Sequence, residues 1–196
     1  MRIYIDCEFV EDGRTIDLIS IALVAEDGRE YYAIGDDAWT TQRTVEHPWL
    51  AANVIPSLPL EMYEQAGGMR VATTREGRLV EFASRWDWDK DHPDFGCVKP
   101  RDQIALDVLK FIRATPDPQL YGWYSAYDHV VLAQLFGRMT DLPDGVPMYT
   151  GDLKQECVRL GNPHVPQQES GQHNALADAR HNRVIAEFLD QLAAQH

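Results

Sequence analysis

The chain has 196 residues, 44% hydrophobic and 25% charged, which suits one domain with a sizeable core and excludes global disorder. Its 31 acidic residues outnumber 18 basic ones, a net charge of −13, which argues against broad electrostatic coating of a nucleic-acid backbone; an enzyme that meets phosphate through bound cations remains compatible. No apolar run approaches the roughly 20 residues of a membrane span, Asp6 and Glu8 interrupt any signal-like start, and Cys7, Cys97 and Cys157 are too scattered for a disulfide framework or zinc site, so a cytoplasmic protein with reduced thiols and no membrane partner is expected.

Met1 to Phe9 alternates Ile3, Ile5, Cys7 and Phe9 with Arg2, Tyr4, Asp6 and Glu8, the period of a strand. Asp6 and Glu8 then point the same way, roughly 7 Å apart. Either a cation lies between them, or one is protonated, or they are ordinary surface acids on a solvated edge strand. Glu11-Asp12-Gly13 and Glu26-Asp27-Gly28 supply turns around a nearly continuous apolar strand over Asp17 to Ala25, and Glu30 to Ile34 makes a third strand of an antiparallel meander.

Residues 36–99 read as an irregular insertion in a single domain over 1–196, rich in Pro and Trp, with a helix over Val45 to Ile55 and a short strand over Leu79 to Phe82. Asp87-x-Asp89-x-Asp91 starts like a calcium loop, but His92 and Val98 stand where such a loop needs Gly and Glu. Beyond it come a helix over Pro100 to Ala114, a strand over Gln119 to Tyr124, a helix over Tyr127 to Phe136, and a short strand at Met148-Tyr149. A helix over Asp152 to Leu160 follows, then a polar loop over His164 to Gln172. Asn174 to Ala194 closes the chain as a helix with Leu176, Ile185, Phe188, Leu189 and Leu192 on its core side. Three strands followed by alternating helices and strands predict an α/β fold: a mixed five-stranded sheet with helices on both faces.

Three stretches carry chemistry. The first is Asp6-Cys7-Glu8. The second is Trp123 to Asp128 at a strand-to-helix junction, where α/β sheets bind ligands and where a lone acid also serves the helix dipole. The third is His173 with Asp178. Five positions advance a helix by about 500°, so these two share no face of one helix. His173 is therefore placed at or before the helix start, with Asn174 as a cap and Gly171 as a hinge, so that in the free protein the loop is expected to be poorly ordered or His173 to point away, swinging in on binding.

In this order and spacing, Asp6-x-Glu8, Asp128, and His173-Asn174-Ala175-Leu176-Ala177-Asp178-Ala179 resemble the DEDDh family of 3′-to-5′ exonucleases, across most of the chain. The Asp6-Cys7-Glu8-Phe9 start and the Trp-rich acidic insertion resemble its polyadenylate-specific exoribonucleases. Many relatives carry Asn four residues before the second motif's Asp, where this chain has Tyr124, so that contact is not implied here.

The resemblance implies a ribonuclease H-like fold and hydrolysis of RNA from its 3′ end to nucleoside 5′-monophosphates. It implies two Mg²⁺ (or Mn²⁺) ions held by Asp6, Glu8, Asp128 and Asp178, with His173 as general base. It implies adenylate-rich ends as substrate, AMP as product, and a homodimer. Arg70, Arg75, Arg78 and Arg85 of the insertion either reach the partner's RNA or are ordinary solvated surface arginines. Cys7, Phe9, Trp123, Tyr124 and Tyr127 flank the acids as substrate contacts, and the aromatics equally suit core packing. The alternatives are a relative acting on DNA or very short RNA, and a non-catalytic binding module of the same fold.

Overall fold

Strand β1 (Arg2–Glu11) runs through the middle of a six-stranded mixed sheet rather than along its edge. The computed structural model describes residues 1–74 and 77–195. β1 pairs antiparallel with β2 (Ile16–Ala25), and β2 pairs antiparallel with β3 (Glu30–Gly35). The insertion begins with α1 (Ala38–Glu46) and α2 (Pro48–Asn53). The single helix expected over Val45 to Ile55 is thus broken. His47 ends the first helix, and its side chain accepts the Leu50 N–H at the start of the second, where Pro48 fits because its missing donor would be unsatisfied anyway.

A 3₁₀ turn (Ile55–Ser57) leads to β4 (Leu60–Met62), and a hairpin arm is made of β5 (Gly68–Thr73) and β6 (Leu79–Ser84), which contains the strand expected there. β7 (Trp86–Trp88) pairs with β4. The arm is held to the body by Trp86, fully buried, whose indole N–H donates to Gln42 Oε1 at 3.0 Å, and by Phe82 against Trp39. Asp87 is taken up by Arg70 at 2.9 Å and by the Trp88 N–H, a local structural use of that acid.

β8 (Val98–Lys99) rejoins the main sheet parallel to β3. It is the sixth strand that the five-stranded expectation lacked. Helix α3 (Arg101–Arg113), β9 (Gln119–Gly122), α4 (Ala126–Gln134), β10 (Thr150–Asp152), α5 (Leu153–Arg159) and α6 (Ala175–Ala193) complete the chain. The last strand begins immediately after Met148-Tyr149, which are exposed instead. Its register with β9 places Gly151 opposite Tyr121, where a Cβ would come within 2.7 Å of the ring. The sheet order is β10-β9-β1-β2-β3-β8.

Helices cover both faces. On one, Ile3, Ile5 and Cys7 meet Ile104, Val108 and Ile112 of α3 and Val131 and Leu132 of α4. On the other, Tyr4, Ala22 and Val24 meet α5 and α6, and Val10, Ile19 and Ile34 meet Leu50, Val54 and Ile55. Helix α6 buries Ile185 and Leu189 as expected, with Leu176 and Phe188 partly covered. It also buries Ala175, Ala179 and Ala186, small residues that allow close approach to the sheet, and the polar Asn182.

Candidate active site

The parallel ladder between β1 and β9 runs from Arg2 to Tyr4 and then stops. Past that point the two strands separate, and β1 finds other partners. The Ile5 carbonyl accepts from Asn182 Nδ2 at 3.0 Å, and the Cys7 N–H donates to Asp128 Oδ1 at 2.7 Å. Gly122 marks the divergence, since a Cβ there would lie 3.1 Å from the Ile5 carbonyl and 2.9 Å from Ser125 Cβ. The opening is where the acids gather. A register shift between β1 and β2 immediately after Glu8 adds a bulge, a device common beside active sites because it re-aims a strand.

Asp6 and Glu8 lie on the face of β1 that α6 covers. Asp128 enters from the first turn of α4, and Asp178 from the first turn of α6. All four line one open depression of about 640 Å³ together with His173, Phe9, Trp123, Tyr124 and Tyr127. A second cavity of about 600 Å³ lies between the arm and the β1–β2 turn, and its Arg43–Asp17 pair is already closed at 2.6 Å.

His173 precedes α6, as the spacing required. Asn174 caps the helix by accepting the Ala177 N–H at 3.1 Å. His173 adopts a left-handed backbone, φ 63°, which lets its own N–H donate to Asp178 Oδ2 at 2.8 Å. Gln168 Nε2 donates to the other oxygen, Oδ1, at 2.7 Å. Gly171 has φ 76° and leaves no room for a Cβ against Ala177, so its role is close packing of the loop on α6 as well as turning. One ligand atom each from Glu8, His173 and Asp178 lies within 4.8 Å of the others. The histidine therefore stands with the carboxylates rather than pointing away from them.

The electrostatics of the cluster are one-sided. Burial, then repulsion from Asp178 and Asp128, pushes the Glu8 carboxyl up to about 8. Burial pushes Asp128 up to about 7 against the opposing pull of the Cys7 N–H. Burial and three neighbouring acids hold Asp6 well above the carboxylate range, and burial raises Asp178 despite its two hydrogen bonds. Four carboxyls shifted in the same direction describe a site short of positive charge. Its oxygen-rich donor set fits hard divalent cations.

The flanking residues divide. Tyr127 stacks on Phe9, centroids 5.6 Å apart and planes 17° from parallel, and exposes more than half its surface. Tyr124, left-handed at φ 54° and exposed, meets Trp123 edge-on, with Lys154 over the Trp123 ring. Cys7 also lines the depression. Its thiol is buried in the core on the far face, and its main-chain N–H orients Asp128. Gln168, Asn182 and Ser57 were not legible as site residues. Asn182, a polar residue four after Asp178 on an otherwise apolar helix face, was the one with a periodic signal.

Of the arginines expected to reach a partner, Arg70 is engaged by Asp87 and lies over Trp86, while Arg78 and Arg85 are exposed. Arg75 lies outside the described residues. Among those residues, no helix is long and apolar enough to cross a membrane.

Residues 1–189 match the family described as the 3′-5′ exoribonuclease Rv2179c-like domain. Over 182 residues the chain is 37% identical to the 3′-5′ exoribonuclease Rv2179c of Mycobacterium tuberculosis (strain ATCC 25618 / H37Rv), covering 92% of this chain and 88% of that protein. The 3′-5′ exoribonuclease MT2234.1 of the CDC 1551 / Oshkosh strain matches equally. A cluster of acids with a histidine at the opening of a mixed sheet, together with a family match along nearly the whole length, means that the chain belongs to the Rv2179c-like family of 3′-5′ exoribonucleases.

Proposed function

We propose that this chain is a cytoplasmic, divalent-cation-dependent exoribonuclease of the DEDDh type on a ribonuclease H-like fold, releasing nucleoside 5′-monophosphates from RNA 3′ ends and favouring adenylate-rich ends. The observation that carries this reading is the convergence of Asp6, Glu8, Asp128 and Asp178 with His173 in one depression. Asp6 would serve both of two cations, with Glu8 and Asp178 completing one and Asp128 the other. Mg²⁺ or Mn²⁺ held there would supply an activated water at neutral pH and neutralise charge on the phosphate being cleaved. His173, beside Glu8 and Asp178, would take the proton from the attacking water, a task suited to an imidazole.

Substrate recognition would rest on stacking. The Phe9–Tyr127 pair and the Trp123–Tyr124 pair offer ring faces and edges at the rim, and base stacking on aromatics is tolerant of sequence. Adenylate as the favoured end and AMP as product rest on the resemblance to polyadenylate-specific exoribonucleases alone. Labelled poly(A), poly(U) and DNA of equal length, each with Mg²⁺, test the reading. Fastest turnover of poly(A) and little of DNA is expected. Equal turnover of all three would remove the adenylate preference.

A homodimer is part of this proposal. The arm turns Met69, Val71 and Leu79 outward on one face, 67%, 59% and 76% exposed, which suits burial against a second copy. Light scattering should give a dimer mass. A monomer mass with full activity would dispose of the dimer.

A further inference from the structure

Trp49 and Ser57 belong to the insertion, more than a hundred residues away in sequence from the histidine they touch. The Trp49 and His173 rings meet edge-on, centroids 4.8 Å apart and planes at 78°. The Ser57 hydroxyl stands 2.9 Å from the His173 carbonyl and 2.9 Å from the Val54 carbonyl, one proton between two acceptors. We infer that Trp49 and Ser57 are positioning residues for His173 in the exonuclease reaction, and that holding this histidine is a task of the insertion.

His173 has a disfavoured left-handed backbone, and such a conformation persists only where its surroundings over-determine it. Three contacts do so here. Asp178 takes its N–H, Ser57 binds its carbonyl, and Trp49 backs its ring. The first comes from α6 itself and the other two from α2 and the 3₁₀ turn after it.

That support is rigid. Leu50, Val54, Ile55 and Leu58 are buried against Val10, Ile19 and Ile34 of the sheet, so the backbone carrying Trp49 and Ser57 is fixed to the sheet whose β1 carries Val10, Asp6 and Glu8. Trp49 itself is 49% exposed and lies outside that buried cluster, so it is not one of the residues that fix α2 to the sheet. An edge-on ring contact restricts rotation of the imidazole while leaving one ring nitrogen within 4.8 Å of carboxylate oxygens of Glu8 and Asp178.

The inference rests on His173 acting as the base, and a double-mutant cycle separates the two claims. Trp49→Ala should lower kcat by roughly 10- to 100-fold, the scale of misplacing a catalytic group by about 1 Å, with KM changed less than about twofold. Trp49→Phe should restore most of the loss. Ser57→Ala should lower kcat in the same way but less. In a His173→Ala background, Trp49→Ala should cost nothing further, because the residue through which it acts is gone.

In the cation-free protein, the imidazole proton signals that vanish in His173→Ala should shift in Trp49→Ala as the indole ring current is lost. Full additivity of Trp49→Ala with His173→Ala, an unchanged kcat in Trp49→Ala, or imidazole signals indifferent to Trp49 would each overturn the positioning role. Near-normal turnover of His173→Ala would instead overturn the assignment of the base, and the inference with it.

Discussion

The Cys7 main-chain N–H donates to the Asp128 carboxylate across the opening between β1 and β9, joining residues 121 apart. The same bond orients a site acid and satisfies a buried donor that the sheet has released. Asp128→Asn keeps an acceptor oxygen there, and Asp128→Ala does not. In EDTA the Ala variant should be less stable than the Asn variant by about 1–3 kcal/mol, the cost of an unsatisfied buried donor, while both lose activity. Urea midpoints that coincide would remove the structural half of this role.

Asp6→Ala should abolish turnover without harming the fold. Asp6 is raised by burial and by Asp128, Glu8 and Asp178, so its charge destabilises the cation-free protein. Stability in EDTA should hold or rise on substitution. A severe loss of stability in cation-free buffer would mark Asp6 as a structural residue instead.

The carboxyl shifts also set a pH dependence. Glu8 is pushed up to about 8 and Asp128 up to about 7, above their values in an unfolded chain. Between the unfolded and folded values the native state binds more protons, so stability falls as pH rises from about 5 to about 8. Acids held low by a partner, such as Asp107 beside Lys99, work in the opposite sense but below about pH 4. In EDTA the urea midpoint should therefore be higher near pH 5.5 than near pH 8, and saturating Mg²⁺ should flatten or reverse the trend, because cation ligands must be deprotonated. A midpoint that climbs with pH in EDTA would show that the acids are not mutually strained.

Asn182 closes the other side of the opening by donating to the Ile5 carbonyl, one residue before Asp6. Asn182→Ala should cost about 1–3 kcal/mol through that unsatisfied buried acceptor. A change within experimental error in urea denaturation would contradict it.

How far the site could be read from the sequence follows from the range of each interaction. Alternation in β1, the turn glycines, the Asn174 cap and the helical spacing of α3 and α6 are local, and β1, α3 and α6 formed within a few residues of their expected ends. Asp6, Glu8, Asp128, His173 and Asp178 were legible through motif order, and all five line one depression. What was not legible depends on contacts distant in sequence. Val98–Lys99 is too short to carry a period and is a strand because β3 offers an edge. Both faces of β1 are buried because helices arrive from later in the chain. Cys7 lay within the motif, yet its part is played by an amide that no side-chain pattern marks. Ser57 and Trp49 meet His173 only once the insertion is folded.

Cleavage of 5′-labelled single-stranded RNA by the purified protein, resolved to the nucleotide in Mg²⁺, in Mn²⁺ and in EDTA, bears most directly on the acid cluster as the seat of cation-dependent 3′-to-5′ hydrolysis. Stepwise shortening from the 3′ end with release of 5′-mononucleotides should occur only with a divalent cation and should vanish in Asp6→Asn. Turnover that persists in EDTA, or in Asp6→Asn at the wild-type rate, would contradict it.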